Sequence, residues 1–186
     1  MEIFAAVDLE TSGLNMDRCE ILEMAIVPLN EDFSISKDIP EFTARIKAEH
    51  PENAEAQAMR INRLDLTKGE SRTSARDNFL IWMRDNGIER ICPVAHNLEF
   101  DMGFLKKTFP ELRNVFSSHG RDSMRLALTI NDIYCRENGE NIFPKASLQG
   151  IKRVIGLDGD VLHNALEDAK DAAHVYRKLT QMLSMD

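Results

Sequence analysis

Asp8 and Glu10 stand two residues apart in the phrase Val7-Asp8-Leu9-Glu10-Thr11-Ser12-Gly13-Leu14, directly after the apolar run Ile3-Phe4-Ala5-Ala6-Val7. Such a run is expected to form a buried strand, and side chains at i and i+2 of a strand leave on the same face. Two carboxylates would then project side by side from the edge of a core. Like charges so placed are costly unless a cation joins them. The chemistry this spacing points to is divalent-metal binding.

Other acids fall where elements begin. Asn164 followed three residues later by Glu167 fits a capping box, so the last helix is expected to start at Ala165. Its apolar stripe runs through Ala165, Ala172, Val175, Tyr176, Leu179 and Leu183, and Asp168 falls on that stripe. An ionised carboxylate facing a core needs a hydrogen-bonded partner or a metal. The competing reading, an acid matched to the helix dipole, would be served better from the exposed face. Asp101, in Ala95-His96-Asn97-Leu98-Glu99-Phe100-Asp101, lies in the first turn of an earlier helix, at the border of the face carrying Phe104 and Leu105. Taken alone, an acid in a first helical turn is more often one matched to the helix dipole. A lone histidine is more often a satisfied surface residue, but His163 stands five residues before the inward Asp168, at a loop-to-helix junction. An unperturbed imidazole, with a pKa of about 6.5, suits removing a proton from water at neutral pH. His96, at a strand end beside Asn97, reads as structural or as a support behind the site residues.

The elements that must position these groups follow from periodicity and turn residues. Strands are expected over 3–10, 20–28 and 40–48, joined by short turns as an antiparallel meander, then at 91–95 and 115–121. Helices are expected over 53–60, from Ser74 (with Asp77 three residues on) to Gly87, over 99–109, over 123–137, from Ser147 to Gly156, and over 165–183. The second of these should turn Phe79, Leu80 and Met83 inward. Strands first, then alternating strand and helix, give an α/β fold with a mixed sheet and helices on its faces.

Composition sets the outer limits. With 186 residues, 43% hydrophobic and 29% charged, the chain is expected to form one domain over 1–186. No apolar run approaches the roughly 20 residues of a membrane span. A basic-then-apolar leader is absent from the start of the sequence, and Cys19, Cys92 and Cys135 form no paired motif. They read as small buried hydrophobes in a reducing, cytoplasmic setting. The net charge of −8 speaks against a protein that coats duplex nucleic acid. Metal ions at an acidic site would bring positive charge back locally.

Taken together, three motifs resemble the DEDDh (DnaQ-like) 3′→5′ exonuclease family. Asp8 through Leu14 match D-x-E-T-[ST]-G-L, His96 through Asp101 match H-N-x-x-F-D, and His163, Ala165 and Asp168 match H-x-A-x-x-D. Asp122-Ser123-Met124-Arg125-Leu126-Ala127 and Ser147-Leu148-Gln149 look like further landmarks, and the match spans nearly the whole chain in order. Arg60-Ile61-Asn62-Arg63 departs from the His-Gly-Ile-like segment often found in the family.

The resemblance implies a ribonuclease H-like fold: a five-stranded mixed sheet, an antiparallel meander then parallel strands, in which the third strand of the meander reverses. It implies two divalent cations, Mg or Mn, held by Asp8, Glu10, Asp101 and Asp168, with His163 as general base. The reaction implied is release of nucleoside 5′-monophosphates from the 3′ end of DNA or RNA, single-stranded by expectation. Thr11, Leu14, Ile61, Asn97 and Phe100 are the implied substrate contacts. The expected partners are single-stranded 3′ ends, with no membrane. Helical surfaces could support a homodimer, and no polymerase-tethering tail follows Asp186. A non-catalytic module that only holds nucleic-acid ends on the same fold is the alternative.

Overall fold

The computed structural model describes residues 1–184, so the expectation resting on the chain end at Asp186 lies outside the described residues. Alternation along Glu2–Thr11 (β1) sorts its side chains onto two faces. Ala5, Val7 and Leu9 enter one core, with Met24 and Ile26 of Ile21–Leu29 (β2) and Phe42 and Ala44 of Phe42–Arg45 (β3). Phe4 and Ala6 enter the other, with Ala25 and Val27. Asp8 and Glu10 continue the Phe4–Ala6 stripe, and in the same way Glu23 continues that of Ala25 and Val27.

Arg90–Ala95 (β4) and Arg121–Asp122 (β5) complete a five-stranded sheet of order β3-β2-β1-β4-β5. β2 is antiparallel to β1 and β3, whereas β1, β4 and β5 run parallel. The reversed strand is therefore the second of the meander, not the third. Short turns on both sides of β2 oblige it to run against its neighbours and return β3 to the direction of β1. Two strands are shorter than expected. β3 ends at Arg45, with only an isolated bridge from Ile46 to Glu70 beyond it. The fifth strand keeps two residues because the chain touches β4 once at Phe116, loops outward through Ser117–Gly120, and rejoins at Arg121 opposite Val94.

Ala56–Asn62 (α1) follows a single tight turn at Pro51–Asn53. Arg72–Asp85 (α2) is capped by Ser71, whose Oγ accepts from the Ser74 amide at 3.1 Å. The cap thus lies three residues before the Ser74 expected from sequence, because the Ser74 hydroxyl donates instead to Glu70. That start puts Ala75, Phe79 and Met83 on the buried stripe and leaves Leu80 41% exposed. Leu98–Thr108 (α3) packs on the same face of the sheet through Met102, Phe104 and Leu105.

Ser123–Asn138 (α4) ends at Gly139, in the left-handed region with φ +78°. Leu148–Val154 (α5) has its cap at Ser147, and Ala165–Met182 (α6) has its cap at Asn164, whose side chain accepts from the Glu167 amide at 3.3 Å. α6 covers the second face of the sheet with Ala165, Ala169, Ala173 and Tyr176. The three alanines are small enough to let the helix axis approach the strands. Leu183, expected on this stripe, is exposed beyond the helix end. α4 and α5 pack behind α6 through Ala127, Ile130, Ile151, Val175 and Leu179. Within that apolar layer Lys152, 2% exposed, pairs with Asp171 of α6, as a buried ammonium must. Cys19 and Cys92 are buried, but Cys135 is only half-buried, and all three are free. Among the described residues no helix is long and apolar enough to cross a membrane.

Candidate metal centre

Asp8 and Glu10 leave β1 on the face that α6 covers, opposite Ala25 and Glu23 of β2. The register shifts after Glu10, and the chain enters the loop Thr11–Leu14. The Thr11 hydroxyl donates to the Gly13 carbonyl at 2.7 Å, and Ser12 exchanges hydrogen bonds with Glu20. α1 clips the loop at both of its ends. Before its first residue, the Glu55 amide donates to Ser12 O at 2.7 Å and a Glu55 carboxylate oxygen accepts from the Leu14 amide at 3.2 Å. At its last residue, Asn62 Nδ2 donates to Thr11 O at 3.0 Å. A Cβ at Gly13 would meet Cys19 Sγ and the Glu55 side chain at 2.5 Å, so those side chains would have to shift to admit one.

Asp101, in the first turn of α3, is 3% exposed, and Asp168, in the first turn of α6, is 5% exposed. Asp101 is therefore fully inside and not at the border the sequence suggested. His163 lies just outside α6 with φ +52°, a backbone conformation strained for a residue with a side chain. Asp168 holds the preceding residue, its Oδ1 accepting from the Leu162 amide at 3.2 Å. Gln149 of α5 holds the one before that, accepting from the Val161 amide at 2.7 Å. The outcome is that Glu10, His163 and Asp168 each offer a ligand atom within 4.8 Å of one another.

Electrostatics joins Asp8 and Asp101 to that group. Burial, then the charges of Asp101, Asp168, Glu10 and Glu23, push the Asp8 carboxyl well above its ordinary range. Glu10 is pushed up to about 7 by burial, Asp168 and Glu23, against a hydrogen bond from Asn62. Burial raises Asp101 and Asp168 as well, although backbone amides favour their charged forms. Four carboxylates that resist ionising together are a poor structural device and a good oxygen-donor set for a hard divalent cation. The residues fit such an ion.

A pH dependence follows. Glu10 has a pKa near 4.5 when unfolded and about 7 when folded, so between those values the folded state holds a proton that the unfolded state has released. Stability must then fall as pH rises through this window. His96, lowered by burial, pulls the other way below its usual value, but it is one group against four. The metal-free protein is expected to melt higher at pH 5.5 than at pH 8 by roughly 5 °C or more. Saturating Mg²⁺ should remove most of that difference. Melting curves in EDTA and in Mg²⁺ at both pH values check this. A metal-free protein more stable at pH 8 would contradict it.

Two side chains that sequence reasoning passed over hold this site together. Asp122 was marked only as a landmark, yet it caps two helices. Its Oδ1 accepts from Asn97, Met124 and Arg125 and its Oδ2 from Leu98, all at 2.9–3.2 Å. It therefore fixes α3, and Asp101 with it, against α4. Asp122→Ala strands four amides, and at up to about 2 kcal/mol per lost cap it should cost roughly 3 kcal/mol of stability, read from denaturant unfolding. A loss no greater than that of Ser147→Ala, a single cap, would contradict the shared role. The second side chain is Glu23, the one charged residue in an otherwise apolar strand, a signal that was legible.

Of the implied substrate contacts, Thr11 is buried, with its hydroxyl on the Gly13 carbonyl and its own carbonyl accepting from Asn62. Leu14, 74% exposed, and Ile61, 45% exposed, border the loop that α1 clips. Asn97 sits exposed at φ +66° with its amide on Asp122. Phe100 packs on Phe104 at 4.9 Å between ring centres, so it also serves the core. His96 meets its structural expectation, with Nδ1 2.9 Å from the Ser123 hydroxyl.

Residues 5–176 match the RNase_T family, described as exonuclease. PolC-type DNA polymerase III of Staphylococcus haemolyticus is 26% identical over 183 residues, covering 97% of this chain and 11% of the polymerase. The same protein of Staphylococcus epidermidis is also 26% identical over the same coverage. The chain thus spans about a tenth of the length of the relatives it matches. The fold is shared with the zinc-bound form of E. coli ExoI in complex with single-stranded DNA, at TM-score 0.73, 17% identity, 100% of this chain and 42% of that one. It is shared also with cell-death related nuclease 4, at TM-score 0.71, 16% identity, 97% of this chain and 64% of that one. A 3′-exonuclease studied for recognition of the histone mRNA stem-loop aligns at TM-score 0.68 and 13% identity, over 96% of this chain and 63% of that one. The mixed sheet with flanking helices is the ribonuclease H-like fold of these exonucleases.

Proposed function

The chain belongs to the RNase_T exonuclease family, and from that premise we propose that it is a divalent-metal-dependent 3′→5′ exonuclease releasing nucleoside 5′-monophosphates from single-stranded DNA or RNA. The observation that carries the reading is the convergence of Glu10, His163 and Asp168 within 4.8 Å, beside Asp8 and Asp101, whose carboxyls resist ionising. Asp8, Glu10, Asp101 and Asp168 would hold two ions, Mg²⁺ or Mn²⁺. Bound there, such ions supply charge for the phosphate and ease deprotonation of water.

The chain's own groups do the rest. His163 takes the proton of the attacking water on a ring nitrogen, and its strained backbone, pinned through Leu162 and Val161, keeps the ring at the mouth of the acid cluster. The Thr11 backbone faces the terminal 3′-hydroxyl. Leu14, Ile61 and Phe100 offer apolar and aromatic surface to the last bases, and Asn97 lines the approach. Apolar and stacking contacts discriminate poorly among bases, so sequence preference should be weak. Three free cysteines support a reducing, cytoplasmic setting.

Matched DNA and RNA oligonucleotides of several lengths, single-stranded and duplex, test the reading in Mg²⁺, Mn²⁺ and EDTA. Single strands should shorten in either metal and remain intact in EDTA. Hydrolysis that survives EDTA, or duplexes digested faster than single strands, would overturn it.

A further inference from the structure

Glu10, Glu23 and Arg45 form one row across β1, β2 and β3, each directly opposite the next. Glu23 lies on the face that α6 covers, and its two oxygens point two ways. Oε2 accepts from the backbone amide of Ala165, the first residue of α6, at 3.3 Å, and Oε1 faces Arg45 Nη1 at 3.8 Å. Arg45 is itself tied down, since its Nη2 donates to Asp65 O at 2.8 Å. Ala165 stands two residues after His163 and three before Asp168, so this bond grips α6 between the two site residues it delivers. It is the only hydrogen bond between β2 and the His163–Asp168 segment among the described residues.

We infer that Glu23 is the positioning residue of this centre: its carboxylate fastens the start of α6 to the sheet and sets where His163 and Asp168 stand relative to Glu10. A helix begins with amides that have no partner inside it. One of them is spent here on a strand side chain next to a metal-site acid. The length of Glu23 then fixes the distance between the two halves of the site, one built on β1 and the other on α6. Its effect on turnover rests on the exonuclease reading; its hold on Ala165 does not.

Two variants separate reach from charge. Glu23→Gln keeps a carbonyl oxygen at the same reach and loses the charge, whereas Glu23→Asp keeps the charge and withdraws both oxygens by about one carbon–carbon bond, roughly 1.5 Å. Hydrogen exchange at the Ala165 amide reads the bond directly. Steady-state digestion of a single-stranded oligonucleotide reads its consequence. Glu23→Gln should keep amide protection and a kcat within about threefold of wild type. Glu23→Asp should lose protection and lower kcat by roughly 10²-fold, the scale set by a reacting group misplaced by about 1 Å, with KM changed far less.

The inference is overturned if Glu23→Asp behaves as wild type, or if Glu23→Gln is impaired as severely as Glu23→Asp. Should Glu23→Asp not fold, Arg45→Met supplies the second arm. It leaves Oε2 in place, so Ala165 protection should persist, and loss of protection would assign the hold to the ion pair instead. If the wild type digests nothing, the exonuclease reading fails and the amide measurements still decide the role of Glu23.

Discussion

Asp8→Asn should lower turnover by roughly 10³-fold or more, the scale seen when a group that stabilises transition-state charge is removed, while raising the melting temperature of the metal-free protein. The two effects have one cause. Asp8 is crowded by Asp101, Asp168, Glu10 and Glu23, all of which disfavour its charge. That crowding is useful only when cations sit among the acids. An amide of the same shape relieves the repulsion and removes a ligand, so stability and activity must move in opposite directions. Asp168→Asn should follow the same pattern, with a smaller gain in stability because its carboxylate also accepts from the Leu162 amide. Turnover in Mg²⁺ and melting in EDTA, measured on one preparation, check both variants. Wild-type turnover in either one, or a fall in activity caused by unfolding, would count against the assignment.

His163→Ala is the second large effect expected. Loss of a general base typically costs 10²–10⁴-fold, roughly the range expected here. His163 is exposed and belongs to none of the apolar clusters among the described residues, so the variant should melt within about 2 °C of wild type, a change well below 1 kcal/mol. Turnover of a single-stranded oligonucleotide in saturating Mg²⁺, measured beside wild type, reads this role. A His163→Ala variant with unchanged turnover would remove His163 from the reaction.

The residues that were legible in sequence are those whose position depends on local periodicity. Asp8 and Glu10 follow from the two-residue repeat of a strand, and Asp168 from the turn of a helix whose start Asn164 announces. The structure keeps all of these placements. What escaped is tertiary. Asp122 stands out only as part of a landmark, and nothing local reveals that it reaches the amide of Leu98, 24 residues earlier. Lys152 and Asp171 look like surface charges until α5 lies on α6. Asp101 sits deeper than its helix pattern indicates because α3 lays it against β1, within reach of the Leu9 backbone. Ser74 with Asp77 reads as the start of α2, but the Ser74 hydroxyl donates to Glu70 and Ser71 caps the helix instead. Glu23 is the instructive omission: a lone carboxylate in Ile21–Leu29 carries the same anomaly that drew attention to Asp8 and Glu10, but it lacks the paired spacing that made theirs readable.

The central claim, that the acid cluster is a metal-dependent site acting on 3′ ends, is tested most directly by following one single-stranded oligonucleotide labelled at its 5′ end. It should shorten one nucleotide at a time from the unlabelled end in Mg²⁺ or Mn²⁺, with nucleoside 5′-monophosphate as the released product and no reaction in EDTA or with Asp8→Asn. Binding of the oligonucleotide without shortening, or appearance of the labelled mononucleotide first, would contradict it.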